Sequence, residues 1–446
     1  MKSKYKLIFF ITITLIVIFS VYTYSYDTSI KNYPIGPNLT SSDKVLIFAP
    51  HPDDESLSSA GLISYCVQHN IPVHVVVITN GGKGKLSQIR HFETLNATAK
   101  LGLSSQDITF LDYPQVIDHL FNENWDPNHL YSDGSNHNPF AYQRNSTYCG
   151  ASLETNIETE IQNFNPTIII YPSAKDDNTD HWGTSAFVNY AVNKMDYPVK
   201  MYNYMVHNDV TLWPFPRSYF PQSNLLPPAY LANQTNWIVF PLNNTLEQSK
   251  YDAVNSYQSQ MKKDPVFLRS YIRKNELFAV DNDINITRHN TSTDYTNSDS
   301  FPNTVFHDPA NDILNHEHNA FYSVLTIKNK YDINNIGFEI DNNTTWISVT
   351  TAGGIPKNGI FQFHIIGFGN DEDVSRIDFE MSNGKPNFYM PSNDSISPHL
   401  IIRSNNDGIV IGIPGMINFD KYMIDVESSN GTQYLDRTGY FNVNVS

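Results

Sequence analysis

Residues Lys44-Val45-Leu46-Ile47-Phe48-Ala49-Pro50-His51-Pro52-Asp53-Asp54-Glu55-Ser56 decide how this chain reads. Lys44 to Phe48 is a short apolar run of the kind that makes a buried parallel strand. Leu57 to Val67 follows with apolar residues at helical spacing. One His and two adjacent Asp therefore fall in the turn between a strand's carboxyl end and a helix start. Open α/β sheets place their ligands there. His51 and Asp54 are three apart, so in a turn entering a helix both face one point. Imidazole with carboxylate is a donor pair suited to zinc. Asp53 lies between them, points elsewhere and stays free to handle protons. The same residues also read as a plain helix N-terminus, with Asp53 as its cap and acids in the first turn. A matching second half favours the metal.

That half follows another apolar run, Thr167-Ile168-Ile169-Ile170-Tyr171. Pro172-Ser173-Ala174-Lys175-Asp176-Asp177-Asn178-Thr179-Asp180-His181-Trp182 leads from it into a helix over Gly183 to Met195. His181 is the third expected ligand. Two His and one carboxylate leave a position open, the catalytic rather than the structural arrangement of zinc. Asp180 is placed to orient an imidazole from behind.

The rest of this half of the chain alternates. Val73 to Thr79, Ile108 to Leu111 and Met201 to Val206 read as strands; Ile89 to Leu101 and Leu153 to Phe164 read as helices. Tyr251 to Phe278 carries the last helical pattern. The expected fold over residues 44–280 is α/β, a Rossmann-like and mostly parallel sheet with helices on both faces. Asp118 to Asn145 is a long polar and aromatic loop that borders the site. Residues 281–319, dominated by Asn, Asp, Ser and Thr, read as a linker. Residues 320–446 read as a β-sandwich, from runs such as Ser323 to Ile327, Phe361 to Ile365, His399 to Ile402 and Met423 to Val426. His316-Glu317-His318 in the linker is set aside as a metal site, since adjacent residues on an irregular segment rarely converge on one ion.

Lys and Arg number 29 against 45 Asp and Glu, a formal charge of -16 over 446 residues. With no basic patch, nucleic acid is excluded as a partner. Lys2, Lys4 and Lys6 precede an apolar run from Leu7 to about Val21, so residues 1–26 read as a signal-anchor or a signal peptide. Positive charge on the leading side directs the remainder out of the cytosol. The expectation is an extracytosolic protein, either single-pass with a cytosolic N-terminus or secreted. Asn-x-Ser/Thr sequons at Asn38, Asn96, Asn145 and Asn233 agree with a glycoprotein. Cys66 and Cys149 either pair or stay as buried thiols.

Pro50-His51-Pro52-Asp53-Asp54-Glu55 resembles the first motif of the PIG-L/LmbE-like zinc-dependent de-N-acetylases, and Asp180-His181 is similar to the end of that family's His-x-Asp-His motif. Thr79-Asn80-Gly81-Gly82, Arg90 with Glu93, Tyr257 with Gln260, and Glu276-Leu277-Phe278 resemble its glycine-rich turn, Arg-x-x-Glu helix, closing helix and Glu-Leu-Phe end. The resemblance covers about residues 44–278. It implies zinc held by His51, Asp54 and His181, a general base at Asp53, and Arg90 on the sugar. The implied activity is removal of the N-acetyl group from N-acetylglucosamine-containing glycans or glycoconjugates. The implied alternatives are the deacetylation of N-acetylglucosaminylphosphatidylinositol, or an inactive sugar-binding protein of the same fold. One position departs: Asn178 stands where the family has the first His of His-x-Asp-His. Asn donates a hydrogen bond to an oxyanion but is no acid near neutral pH. The remedies visible in the sequence are Asp53 acting as both base and acid, or His207 reaching the site from the next strand end.

Overall fold

Strand β1 (Val45–Ala49) is buried along its whole length, as its unbroken apolar run requires. It pairs in parallel with β2 (Val73–Thr79) on one side and β4 (Ile168–Pro172) on the other. With β3 (Ile108–Tyr113), β5 (Lys200–Tyr204), β6 (Asn236–Pro241) and β7 (Asn275–Val280), the sheet order is β3-β2-β1-β4-β5-β7-β6. The computed structural model describes residues 30–128, 131, 147–208, 212–282, 284–291, 293–296, 300–309, 312, 330–370, 373–388, 399–432 and 434–446. The N-terminal segment 1–26, His316-Glu317-His318, Ser323 to Ile327 and most of the loop ending at Asn145 lie outside these. No helix among the described residues is long and apolar enough to cross a membrane.

Both faces of the sheet are covered. Helices α1 (Asp54–Gln68), α2 (Lys85–Lys100) and α6 (Asn244–Val254) bury Leu57, Ile63, Ala97, Leu246 and Val254 against Val45, Ile47, Val75 and Ile170. On the opposite face α3 (Ile117–Asn122), α4 (Gly150–Phe164) and α5 (Thr179–Lys194) bury Leu120, Ile157 and Phe187 against Leu46, Phe48, Val76 and Ile169. Alternate residues of one strand thus serve two cores, and each fully buried Val, Leu, Ile or Phe contributes about 1.5–3 kcal/mol relative to exposure. Cys66 and Cys149 are free, buried thiols.

The segment from Tyr251 to Phe278 departs from the expected helix. It breaks into the last turn of α6 and two short helices, α7 (Gln258–Met261) and α8 (Pro265–Arg269), the second capped by Asp264 with Pro at its start. Glu276-Leu277-Phe278 is strand, not helix end: β7 pairs antiparallel with β6, Phe278 opposite Ile238. The position of Glu276 has a consequence for α1. Its carboxylate accepts hydrogen bonds from Gly61 N at 2.7 Å and Leu62 N at 2.9 Å, in the middle of that helix. A Cβ at Gly61 would stand 2.2 Å from Leu242 Cδ2 and 3.3 Å from Glu276 Cδ. Gly61→Ala is expected to cost about 1–3 kcal/mol through overpacking, read as a lower urea midpoint; an unchanged midpoint would mean that Leu242 yields freely.

The C-terminal part is a β-sandwich. One sheet runs β15 (Ile401–Ser404), β16 (Ile409–Pro414), β11 (Thr344–Thr351), β10 (Ile333–Ile340), β9 (Thr304–His307). The other runs β14 (Lys385–Phe388), β13 (Val374–Ser382), β12 (Ile360–Phe368), β17 (Lys421–Ser429), β19 (Phe441–Val445), β8 (Ile284–Ile286), with β18 (Tyr434–Arg437) also on β17. Phe338, Ile347 and Ile411 from one sheet meet Phe363, Phe379 and Ile424 from the other. The stretch expected as a linker instead supplies β8 and β9. Both are short, half-exposed edge strands, so they carry too little apolar alternation to stand out from polar surroundings. Nor is the sandwich a loose appendage. Ile366, Phe368, Met423 and Tyr440 belong to the same core as α3 and α5, and the Arg376 guanidinium lies 4.8 Å over the Phe121 ring.

Candidate metal centre

The chain runs outward from β1 to β3 on one side and resumes at β4 on the other, so strand order reverses between β1 and β4. Loops leaving the carboxyl ends of two such strands open onto one crevice. His51, Asp53 and Asp54 come from the first loop, Asp176, Asn178, Asp180 and His181 from the second. His51 Nδ1, Asp54 Oδ2 and His181 Nε2 form a triangle with sides of 3.2, 3.3 and 3.1 Å. All three residues are buried. Donors about 2.0–2.1 Å from a tetrahedral zinc ion lie about 3.3–3.4 Å apart. The donor set fits such an ion in chemistry and spacing.

Each imidazole is held from behind. His51 Nε2 lies 2.9 Å from Asp180 Oδ2, while Asp180 Oδ1 accepts a hydrogen bond from Ile117 N. His181 Nδ1 lies 3.2 Å from Asp176 Oδ2, in ion-pair range but off hydrogen-bond alignment. That oxygen also accepts from Val206 N at 2.8 Å and His207 N at 3.0 Å, beyond the end of β5. A proton on each outer nitrogen leaves two lone pairs and a carboxylate oxygen converging on one point, an arrangement that a cation relieves. Burial opposes the Asp54 charge, yet the His181 and His51 imidazoles hold its carboxyl well below the ordinary value.

Asp53 occupies an unusual backbone position, with φ of 133°. A non-glycine residue held there stores strain, which the surroundings must overdetermine. They do so through Arg90, which is buried on α2. Its Nη2 lies 3.0 Å from Asp53 Oδ2 and also donates to Pro52 O, while Nη1 donates to Gly81 O at 2.7 Å. A Cβ at Gly81 would lie 2.7 Å from Pro52 Cδ and 2.9 Å from Arg90 Nη1, and its φ is +66°, so the glycine-rich turn closes on this contact. Arg90, which the resemblance puts on the sugar, is buried and bound to Asp53 and this turn. Burial pushes the Asp53 carboxyl up to about 6, Arg90 opposing and Asp54 assisting.

Asn178 caps α5: its Oδ1 accepts from Asp180 N at 3.0 Å. Asn favours this position because its short side chain satisfies an orphan helix donor. His207 does come to the site. Its ring centre stands 4.9 Å from that of His181, nearly perpendicular, and the ring stacks on Phe267. Burial pushes its pKa down to about 4, so it is a neutral imidazole. Two residues escaped sequence reasoning. Asp176 backs His181; the Asp176-Asp177 doublet after β4, echoing Asp53-Asp54 after β1, was the available signal. Tyr257 donates to Glu55, whose carboxylate also accepts from Ser56 Oγ at 2.6 Å, a pairing no sequence spacing announces.

An open α/β sheet with a His-Asp-His triad at its switch point and a strained carboxylate alongside defines the class, a Rossmann-like protein with a candidate metal centre. Residues 46–192 match the family model described as PIG-L: GlcNAc-PI de-N-acetylase, and this part of the chain is a PIG-L domain. Over 93 residues the chain is 30% identical to a probable N-acetylglucosaminyl-phosphatidylinositol de-N-acetylase of Schizosaccharomyces pombe, covering 21% of this chain and 37% of that relative. The match thus spans about a third of the relative's length. Among solved structures, a deacetylase of the teicoplanin biosynthesis pathway has a TM-score of 0.36 at 16% identity, over 53% of this chain and 96% of that one. The N,N'-diacetylchitobiose deacetylase of Pyrococcus horikoshii has a TM-score of 0.34 at 17% identity, over 53% and 82%.

Proposed function

We propose that the protein is a zinc-dependent hydrolase that removes the N-acetyl group from N-acetylglucosamine-containing glycans or glycoconjugates. The observation that carries this reading is the buried triangle of His51 Nδ1, Asp54 Oδ2 and His181 Nε2, with Asp53 fixed beside it by Arg90. The PIG-L match over residues 46–192 supports it. His51, Asp54 and His181 would hold the zinc, which when bound supplies Lewis acidity towards a water and an amide carbonyl.

The chain's own residues do the rest. Asp53 takes a proton from the attacking water as its oxygen bonds to the carbonyl carbon. His207, a neutral imidazole with an N–H to donate, stabilises the oxyanion that develops there. Asp53 then returns the proton to the amide nitrogen as the C–N bond breaks, leaving acetate and a free amine. Asp176 and Asp180 keep both imidazoles turned towards the reaction. Asn178 does not need to act as an acid in this scheme, since Asp53 carries the proton both ways.

The test is acetate release by the zinc-loaded full chain on N-acetylglucosamine oligosaccharides and on N-acetylglucosaminylphosphatidylinositol, the substrate class printed in the name of the Schizosaccharomyces pombe relative. His207→Ala is expected to lower kcat by about 10²–10³-fold, the usual cost of one oxyanion donor, with KM little changed. Bound zinc without acetate from any of these substrates would leave a sugar-binding protein that retains the fold.

A further inference from the structure

A second set of oxygen donors lies on the sandwich side of the loop that carries Asp176. The carboxylate oxygens of Asp308, Asp312 and Asp436 come within 4.8 Å of one another. They line a cavity of about 30 Å³ together with Ala174, Lys175 and Tyr230. That space suits one ion or one water. Asp308 follows β9, Asp312 lies further along the same polar stretch, and Asp436 sits on β18, so the three come together only through the tertiary fold.

Asp308 is 5% exposed, and neither of its carboxylate oxygens accepts a hydrogen bond from a described residue. Asp312 Oδ1 is likewise buried without a hydrogen bond. An uncompensated buried carboxylate is costly, and three that repel one another are costlier. Lys175 Nζ stands 3.7 Å from Asp308 Oδ1, one ammonium against these three carboxylates and Asp332, whose charge acts on all three. Arg437 also lines the cavity, but its guanidinium is engaged by other groups: it donates to Ala174 O and Asp176 O, lies over the Trp182 ring, and its charge answers Asp425, Glu427, Asp177 and Asp118. Asp436 accepts from Ile333 N at 2.6 Å and Arg437 N at 2.9 Å, which fixes its carboxyl group, while burial and the Asp312 and Asp332 charges push its pKa well above the ordinary value.

We propose that Asp308, Asp312 and Asp436 form a second metal site, for a hard divalent cation of the calcium type, that clamps the sandwich to the Ala174–Asp177 loop. The donors are all oxygens, with neither imidazole nor thiolate, which disfavours zinc. Three carboxylates from two distant segments make an irregular set that calcium accepts with water completing its shell. Magnesium demands near-octahedral geometry and keeps most of its water, using one or two carboxylates. The cation neutralises Asp436 next to Arg437, the residue that grips the backbone of Ala174 and Asp176. Asp176 in turn backs His181, so the clamp steadies the triad without belonging to it.

The experiment titrates Ca²⁺ into the zinc-loaded full chain by calorimetry, with Mg²⁺ in parallel, and follows the thermal midpoint. One saturable Ca²⁺ per chain is expected, with affinity at least tenfold lower in Asp308→Asn and in Asp312→Asn and at least tenfold weaker for Mg²⁺. Ca²⁺ should raise the midpoint of the wild type and not that of Asp308→Asn. Without Ca²⁺, Asp308→Asn should melt above the wild type, because it removes one of several crowded buried carboxyl groups. Absence of saturable Ca²⁺ binding in the wild type, wild-type affinity in both variants, or a lower midpoint for Ca²⁺-free Asp308→Asn would each overturn the site. None of these readouts depends on deacetylase activity.

Discussion

Asp53→Asn should lower acetate release by about 10²–10⁴-fold while zinc binding stays at the wild-type level. The substitution is chosen to separate chemistry from architecture. Asn keeps the side-chain length and an oxygen that can accept from Arg90, and it tolerates positive φ about as well as Asp. What it removes is the carboxylate that takes up and returns a proton. Asp53 contributes no atom to the triangle of His51, Asp54 and His181, so metal content measured on the purified variant should not change. Loss of zinc together with activity would show instead that Asp53 acts as a fourth anchor of the centre. Retention of full activity would remove the base from the scheme altogether.

The second large effect concerns stability. Lys250 and Glu276 are both fully buried, with Lys250 Nζ 2.8 Å from Glu276 Oε1 and donating also to Leu57 O at 2.8 Å. Glu276 meanwhile receives the two backbone N–H groups of Gly61 and Leu62. The pair therefore joins α6 and β7 to the middle of α1, the helix that begins with Asp54. Lys250→Met leaves the carboxylate buried and unpaired, at an expected cost of about 3–5 kcal/mol, measured by urea unfolding. Adding Glu276→Gln should recover much of that loss, since Gln still accepts from Gly61 but needs no counter-ion. Losses that simply add in the double variant would mean that the two groups do not act as a pair.

These two sites also show where sequence reasoning reached and where it stopped. The turn at His51-Pro52-Asp53-Asp54 and the stretch ending at His181 were legible because each is local: an apolar run, a polar turn, a helical pattern. That both turns open on one crevice followed from a general property of parallel sheets, carboxyl ends on the same edge. The partners of Arg90 were not legible. The family resemblance put Arg90 on the sugar, and only packing shows its guanidinium against Asp53 and Pro52. Glu276 is similar: its Glu-Leu-Phe context read as a helix end, and pairing with β6 across an antiparallel edge made it a strand.

By itself, then, the sequence determined the α/β alternation, the β texture of the C-terminal part and the donor types near the switch point. These depend on residue chemistry and on periodicities of 2 and 3.6, which any short window displays. Tertiary structure decided which carboxylates back which imidazole, which charges are neutralised by burial in pairs, and that residues 281–319 supply edge strands. It also brought Asp308, Asp312 and Asp436 to one point from segments more than a hundred residues apart. The physical reason is the same each time. Electrostatic and hydrogen-bond energies depend on distances of a few ångström and on burial, and neither quantity exists until distant segments pack.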